Sequence, residues 1–166
     1  NPIGDVALES VIDQGNIHGW LQSKITAVET RQAKLLDYAC TILSKEQVMS
    51  IASYVYAEEG RTLGQNQKEN KLASAPELFK ALQDVLLEGM PCDRVAVVTE
   101  STPTSHAWDV VACVHESYWN QSQVTVTDYY QLRAAFSKGF VEIANPAFTY
   151  EFSNENGQKH SISKTI

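Results

Sequence analysis

The chain has 166 residues, of which 43% are hydrophobic and 20% are charged, and its formal charge is -7 at pH 7. These values are typical of one folded globular domain, and they exclude disordered, collagen-like and membrane-spanning classes. Nucleic acid is also excluded as a ligand, because phosphate binding requires a basic stripe that the sequence lacks. We predict a single domain over 1–166 of α+β class, with a helical half at about 18–89 and an antiparallel sheet half at about 93–166.

The helical half begins with apolar residues at helical spacing, which predict a long amphipathic helix from Trp20 to Leu43. Ser44 followed by Gln47 has the form of a capping box and predicts the start of a second helix, which runs to Gly60. Two long helices are therefore expected in succession.

The next stretch, 61–71, is polar and without periodicity, so it predicts an exposed loop. Ser74 with Glu77 forms another capping box, and Pro76 suits a first helical turn. A third helix is therefore expected from this point to Gly89.

The second half is rich in β-branched residues. The runs 94–99, 109–115 and 123–127 predict three neighbouring strands. A short helix is expected at 128–139, where a glycine provides the C-terminal cap, and alternating residues at 148–162 predict a terminal hairpin.

The cysteines, Cys40, Cys92 and Cys113, are odd in number and match neither a disulfide framework nor a zinc site. They favour a cytoplasmic-type reducing compartment. Cys113 and His115 would share one face of a strand, but a metal needs three or four ligands. The sequence therefore predicts no metal and no other cofactor.

The segment from Ser105 carries the clearest chemical signal. His106 opens a predicted strand and is followed by Trp108, so rigid backbone would hold an imidazole near the sheet edge, as a general base requires. Asp128 closes the next predicted strand, at 123–127. If these strands form a hairpin, Asp128 lies beside His106 and fixes its tautomer.

Over 105–130 the sequence resembles the histidine and aspartate portions of the papain-like and transglutaminase-like thiol enzymes. The resemblance implies a papain-like fold and a thiol-dependent hydrolase that acts on a protein substrate by glutamine deamidation or peptide cleavage. Several members of this superfamily are bacterial effectors, so it also implies secretion into a host cell.

The resemblance implies a nucleophilic cysteine in the helical half, facing His106 and Asp128. Cys40 is the candidate, because it is the only cysteine in that half; a lost nucleophile near Ser23 is the alternative. Gln14, which precedes the first long helix, would donate a hydrogen bond to the oxyanion.

Each of these residues also has a purely structural interpretation. His106 would be a strand-edge histidine bonded to backbone, Asp128 a helix cap, and Cys40 a small buried hydrophobe. With these interpretations the chain is a non-catalytic protein-binding domain of α+β fold, whose acidic surface would recognise a basic partner.

Overall fold

The computed structural model describes residues 6–86, 88–90 and 93–165. Five α-helices and four β-strands lie in these ranges, together with short 3-10 helices at Leu8–Ser10 and Lys68–Asn70. In chain order they are α1 (Ile17–Ala39), α2 (Lys45–Asn66), α3 (Ala75–Gln83), β1 (Ala96–Ser101), β2 (Ser105–Val110), α4 (Glu116–Trp119), α5 (Val126–Ala144), β3 (Phe148–Ser153) and β4 (Gln158–Lys164).

The predicted α+β class is confirmed. The four strands form one antiparallel sheet in the order β1-β2-β4-β3, so the last strand of the chain lies inside the sheet. Trp108 of β2 pairs with His160 of β4, which in turn pairs with Phe152 of β3. These three residues therefore lie on the same face of the sheet.

Helices α3 and α5 cover that face. The main core combines Leu78 and Leu82 of α3, Phe136 and Phe140 of α5, and a sheet residue, Ile162. All five side chains are buried, so this layer is held chiefly by the hydrophobic effect.

Helix α2 packs along α5 at unusually close range. A Cβ added at Gly60 would lie 2.1 Å from the carbonyl oxygen of Phe136, and one added at Gly64 would lie 2.4 Å from that of Phe140. Gly139 of α5 meets the backbone of α2 in the same way. A side chain at any of these positions would clash, because the two helix backbones are in contact there.

Helix α1 belongs to a second, smaller core. Ala33 packs with Trp119, Val124 and Tyr129, and α1 is otherwise open to solvent on most of its length. Among the described residues, α1 is therefore attached along one narrow side.

Both predicted capping boxes are present. The Ser44 hydroxyl accepts from the Gln47 amide and Gln47 bonds back to Ser44, while Glu77 accepts from the backbone and the hydroxyl of Ser74. The prediction of a loop at 61–71 is wrong, because α2 continues to Asn66. Gly64 lies within this polar stretch, and its lack of a side chain allows α2 to contact α5 there.

Two predicted strands are also wrong. The strand expected at 109–115 ends at Val110, and 111–115 is irregular. Residues 123–127 contain the start of α5, since the Thr125 hydroxyl accepts from the Asp128 amide and the Asp128 carboxylate accepts from the Thr125 amide. This third capping box begins a helix longer than the one expected at 128–139.

The other predicted elements in the second half are present with shifted ends. The strand expected at 94–99 is β1, and the terminal hairpin is β3 and β4, joined by a turn in which Gly157 has a φ of 89°. None of the helices in the described part of the chain is sufficiently long and apolar to cross a membrane.

Candidate functional site

His106 lies in β2 with its ring in the core. It is packed 4.3 Å from the ring of Phe79, and its Nδ1 lies 3.2 Å from the Ser101 hydroxyl. Burial lowers the pKa of His106 below its ordinary value, so the neutral imidazole is favoured. Its nearest polar partner is thus a serine of the neighbouring strand.

Asp128 caps α5 and is bonded elsewhere. Its carboxylate accepts from the amide and hydroxyl of Thr125 and lies 2.6 Å from the Lys45 ammonium. Burial alone would raise the pKa of Asp128, but these contacts outweigh it and lower the pKa. The structural interpretation as a helix cap describes what this side chain does.

Cys40 is the C-terminal cap of α1. Burial and the nearby Asp37 carboxylate raise the pKa of its thiol, which opposes thiolate formation. Ser23 lies on α1 and donates its hydroxyl hydrogen bond to the Trp20 carbonyl, while Gln14 lies in an exposed turn before α1.

The structure does not bring the expected catalytic residues together. The polar contact of His106 is Ser101, and those of Asp128 are Thr125 and Lys45. The hairpin that was expected to join His106 and Asp128 is absent, because 123–127 leads into a helix. The described residues contain no Cys-His-Asp triad.

A different group of charged residues does meet in the interior. Glu29 of α1, Glu88 after α3, His115 before α4 and Arg133 of α5 form what we call the ionic cluster. His115 is 2% exposed, and Glu29 and Arg133 are also buried. Four separate segments of the chain are tied together at this point.

Acidic and basic side chains alternate within the cluster. His115 Nδ1 lies 2.7 Å from Glu29 Oε1, and Arg133 donates to Glu88 Oε2 at 2.5 Å. The other imidazole nitrogen, Nε2, faces Glu88 Oε1 at 3.8 Å, which is longer than a hydrogen bond. Neither of these two atoms has a hydrogen-bond partner among the described residues, although both are buried.

The pKa values follow from this arrangement. Burial would raise the pKa of Glu88, but the Arg133 charge and the nearby His115 lower it to about 2. Burial would likewise lower the pKa of His115, but its carboxylate neighbours Glu29 and Glu88 raise it above the ordinary value. The two carboxylates therefore favour the protonated form of His115 relative to a free imidazole.

Aromatic side chains enclose the cluster. Trp119 donates its Nε1 hydrogen to Glu29 Oε2 at 3.4 Å, and Arg133 donates to the Tyr129 hydroxyl at 3.4 Å. The rings of Trp119 and Tyr129 are stacked, with centroids 4.3 Å apart. Where these rings cover the charges, the packing excludes water and strengthens the interaction between them.

Three members of the ionic cluster line a cleft of about 330 Å³ beside α1, which we call the α1 cleft. They are Glu29, His115 and Arg133. Its walls are mainly apolar and aromatic: Ile25, Val28, Leu86, Met90, Val114, Tyr118 and Tyr129. A cleft of this size and lining, with a few convergent polar groups, is typical of a binding site.

The described residues contain no group of His, Cys, Asp and Glu side chains that could hold a metal ion. Cys113, which was expected to share a strand face with His115, is exposed. Its sulfur accepts a hydrogen bond from the Tyr130 hydroxyl at 3.5 Å. His115 instead belongs to the ionic cluster.

A second surface feature lies along the outside of α1. Six exposed residues fall on one stripe with alternating spacings of three and four, which we call the α1 stripe: Leu21, Lys24, Val28, Arg31, Leu35 and Tyr38. Spacing of this kind places all six on one face of a helix, in the heptad pattern of a coiled-coil contact. Lys24 and Val28 belong both to the stripe and to the lining of the α1 cleft.

Comparison of the chain with protein-family models, with curated proteins and with solved structures found no match.

Sequence reasoning did not find the ionic cluster. Its members are far apart in the chain, and Glu29 and His115 are separated by 86 positions, so no local spacing indicates the contact. One signal was available: Glu29 is an acidic residue on the otherwise small and apolar side of α1 that includes Ala33 and Leu36. A charge at a core position of an amphipathic helix indicates a buried partner.

Proposed function

We propose that this chain is a non-catalytic protein-binding domain whose α1 stripe docks an acidic amphipathic helix of another protein. The observation that supports this most is the exposure of large apolar side chains at heptad spacing on a helix whose opposite side is already packed. Exposed apolar patches of this kind mark interaction surfaces in soluble proteins.

The apolar members of the stripe are strongly exposed. Leu35 is 64% exposed and Tyr38 is 65% exposed, and Leu21 and Val28 also lie open to solvent. In a heptad contact, positions of this spacing insert between the side chains of a second helix and are removed from water. A docked helix would therefore bury each of these residues at once.

The charge of the stripe favours an acidic partner. Lys24 and Arg31 lie between the apolar members of the stripe and are exposed. The acidic residues of α1, Glu29 and Asp37, are occupied by His115 and by the Gln123 backbone amide. The free charge on this face is thus basic although the whole chain is acidic, so we propose an acidic partner here and not the basic partner that net charge suggested.

The same charges disfavour a second copy of the chain as the occupant. Parallel pairing of two α1 helices would place Lys24 against Lys24 and Arg31 against Arg31 of the other copy. Like charges at the contact positions of a coiled coil weaken that pairing. A different protein whose helix carries glutamate and aspartate beside its apolar residues fits the stripe better.

The thiol-hydrolase function and the papain-like arrangement implied by the resemblance have less support. They require His106 near both Asp128 and a thiolate, whereas the Asp128 carboxylate is bonded to Thr125 and Lys45 and the pKa of Cys40 is raised. A fixed cap and a disfavoured thiolate do not suit a catalytic triad.

Binding of designed peptides tests the proposal. We would measure the affinity of the folded chain for a helical peptide of about four heptads with Leu at the contact positions and Glu beside them, and for the same peptide with Lys in place of Glu. The acidic peptide should bind at least tenfold more tightly, and its affinity should fall with added salt, because opposite charges are screened.

The matched variants are Leu35→Gln, on the stripe, and Val97→Gln, on β1, where Val97 is 50% exposed. Leu35→Gln should weaken binding at least tenfold and Val97→Gln should leave it unchanged. Equal affinity for both peptides, or equal effects of both substitutions, would refute the acidic-helix proposal. Dimerisation in sedimentation experiments that Leu35→Gln abolishes would identify a second copy as the occupant instead.

A further inference from the structure

The α1 cleft opens beside the α1 stripe. Lys24 and Val28 belong to both, and Gln22, Ile25 and Glu29 on the neighbouring side of α1 continue into the cleft. A helix that docks along the stripe must therefore pass beside the mouth of the cleft. A side chain on the inner edge of that helix points toward the cleft at the level of Val28.

The walls of the cleft suit a large side chain with one polar edge. Leu86, Met90 and Val114 supply apolar surface. Near the mouth, the Tyr118 hydroxyl lies 2.9 Å from Gln22 Nε2 and 3.2 Å from the Thr26 hydroxyl. These polar groups can exchange hydrogen bonds with an indole N–H or a phenol hydroxyl, while the apolar walls contact the ring.

The charges around the cleft are balanced, which favours a neutral occupant. In the ionic cluster, Glu29 and Glu88 face His115 and Arg133. Lys24 and Asp93, which also line the cleft, add one charge of each sign. A further buried charge would upset this balance, and an unbalanced charge away from water is strongly unfavourable. We therefore expect a neutral occupant.

Among the described residues, two buried polar atoms beside the cleft also lack hydrogen-bond partners, and an occupant that excludes water would strengthen the attraction between them. His115 is 2% exposed, and its Nε2 and Glu88 Oε1 face each other at 3.8 Å without hydrogen-bond partners. Water that enters the cleft weakens the attraction between these charges by raising the local dielectric. A ring that fills the cleft removes this water.

We propose that the α1 cleft is the anchor pocket of the docking surface and takes one neutral aromatic side chain with a polar edge, Trp or Tyr, from the partner helix. The inference rests on the proposed function, because the stripe holds the helix that carries the anchor. A volume of about 330 Å³ accepts one such ring. Aromatic anchors in central, desolvated pockets dominate the binding energy of many interfaces.

A set of acidic heptad peptides tests this inference. Each peptide would carry one Trp, moved in turn through the contact positions, and would be compared with the peptide that has Ala at the same place. One Trp position should bind at least tenfold more tightly than its Ala counterpart, and Glu at that position should bind no better than Ala.

The decisive variant is Ile25→Trp, which fills the cleft from α1. It should abolish the advantage of the Trp peptide over the Ala peptide. In the wild-type chain, the imidazole resonances of His115 should shift with the Trp peptide and not with the Ala peptide. This second readout needs no substitution and so remains informative if the variant does not fold.

The outcomes separate the two proposals. If all the acidic peptides bind with equal affinity and the His115 resonances do not move, the anchor pocket is refuted and the docking function stands. If none of the acidic peptides binds, the docking function itself is refuted. If Trp at every position gives the same gain, the contact is general hydrophobic attraction, and the anchor pocket is again refuted.

Discussion

Helices α1 and α5 are similar in length, but α5 is largely buried and α1 is largely exposed. Ten of the 19 residues of α5 are buried, against two of the 23 residues of α1. One of the two in α1, Glu29, is charged and is bonded to His115. The difference indicates that α5 organises the fold, whereas α1 is a surface element fixed to it mainly by a polar contact and a few apolar ones.

The largest effect is expected at Arg133, where α5 supplies a buried charge. Arg133→Met removes the hydrogen-bonded counterion of Glu88 and leaves only His115, at 3.8 Å, beside its carboxylate, so it should lower the free energy of unfolding by about 3–5 kcal/mol. Urea denaturation of the variant measures this. The double variant Arg133→Met with Glu88→Gln should recover part of the loss, and Arg61→Met, in an exposed pair with Glu58, should change stability by less than about 0.5 kcal/mol. A loss at Arg61 equal to that at Arg133 would contradict the contrast between buried and exposed pairs.

The two regions should also differ in their response to pH. On the sheet side, burial lowers the pKa of His160 to about 4, so its neutral form is stabilising and this stability is lost as the pH falls from about 6.5 to 4, by about 3 kcal/mol. Beside α1, the raised pKa of His115 gives stability that is present below about pH 6.5 and is lost as the pH rises through its folded value. These two groups therefore place a maximum of stability near pH 6.5.

Unfolding measurements across this range test the pH prediction. His160→Asn removes this titrating group and should reduce the acid slope without abolishing it, because burial also lowers the pKa of His106, while the alkaline side keeps its slope. An unchanged acid slope in this variant would exclude His160 as the cause.

A somewhat smaller effect is expected where α2 touches α5. Gly60→Ala places a Cβ 2.1 Å from the Phe136 carbonyl oxygen, so the helices must separate, and stability should fall by about 1–3 kcal/mol. Gly15→Ala is the matched control, because its added Cβ meets only the Asp13 side chain at 3.3 Å. Thermal unfolding of both variants measures the difference; similar melting temperatures would show that the α2–α5 contact is looser than described.

The smallest effect is expected on α1 itself. Leu35→Gln removes no packed contact and should change the free energy of unfolding by less than about 0.5 kcal/mol. The same substitution on α5, Leu132→Gln, buries an amide in the core, where Leu132 is 0% exposed, and should cost several times more. Equal losses would mean that the outer face of α1 is packed against something within the chain.

Local signals in the sequence were enough to predict where two of the helices start. The capping boxes at Ser44 and Ser74 use contacts within four residues, so they can be read without a structure. Thr125 with Asp128 has the same form, but the β-branched run Val124–Thr127 favoured a strand, and the true helix start was missed. Here tertiary packing of Tyr129 and Tyr130 outweighed local β propensity.

Non-local features could not be predicted in this way. Gly64 lies in a polar stretch that predicts a loop, and only contact with α5 explains its lack of a side chain. The ionic cluster joins Glu29, Glu88, His115 and Arg133, whose spacing in the sequence follows no motif. The heptad spacing of the α1 stripe was present in the sequence, but its exposure depends on which side of α1 packs inward.

The position of β4 has a consequence for how the chain folds. Strand β4 follows the other three strands in the sequence, so it is the last part of the sheet to be synthesised. It also links the other strands, because it pairs with both β2 and β3. The pairing of His106 with Ile162 is of high contact order, and such pairings form slowly. A nascent chain that lacks β4 would present β2 and β3 as unpaired edges, which are prone to aggregation.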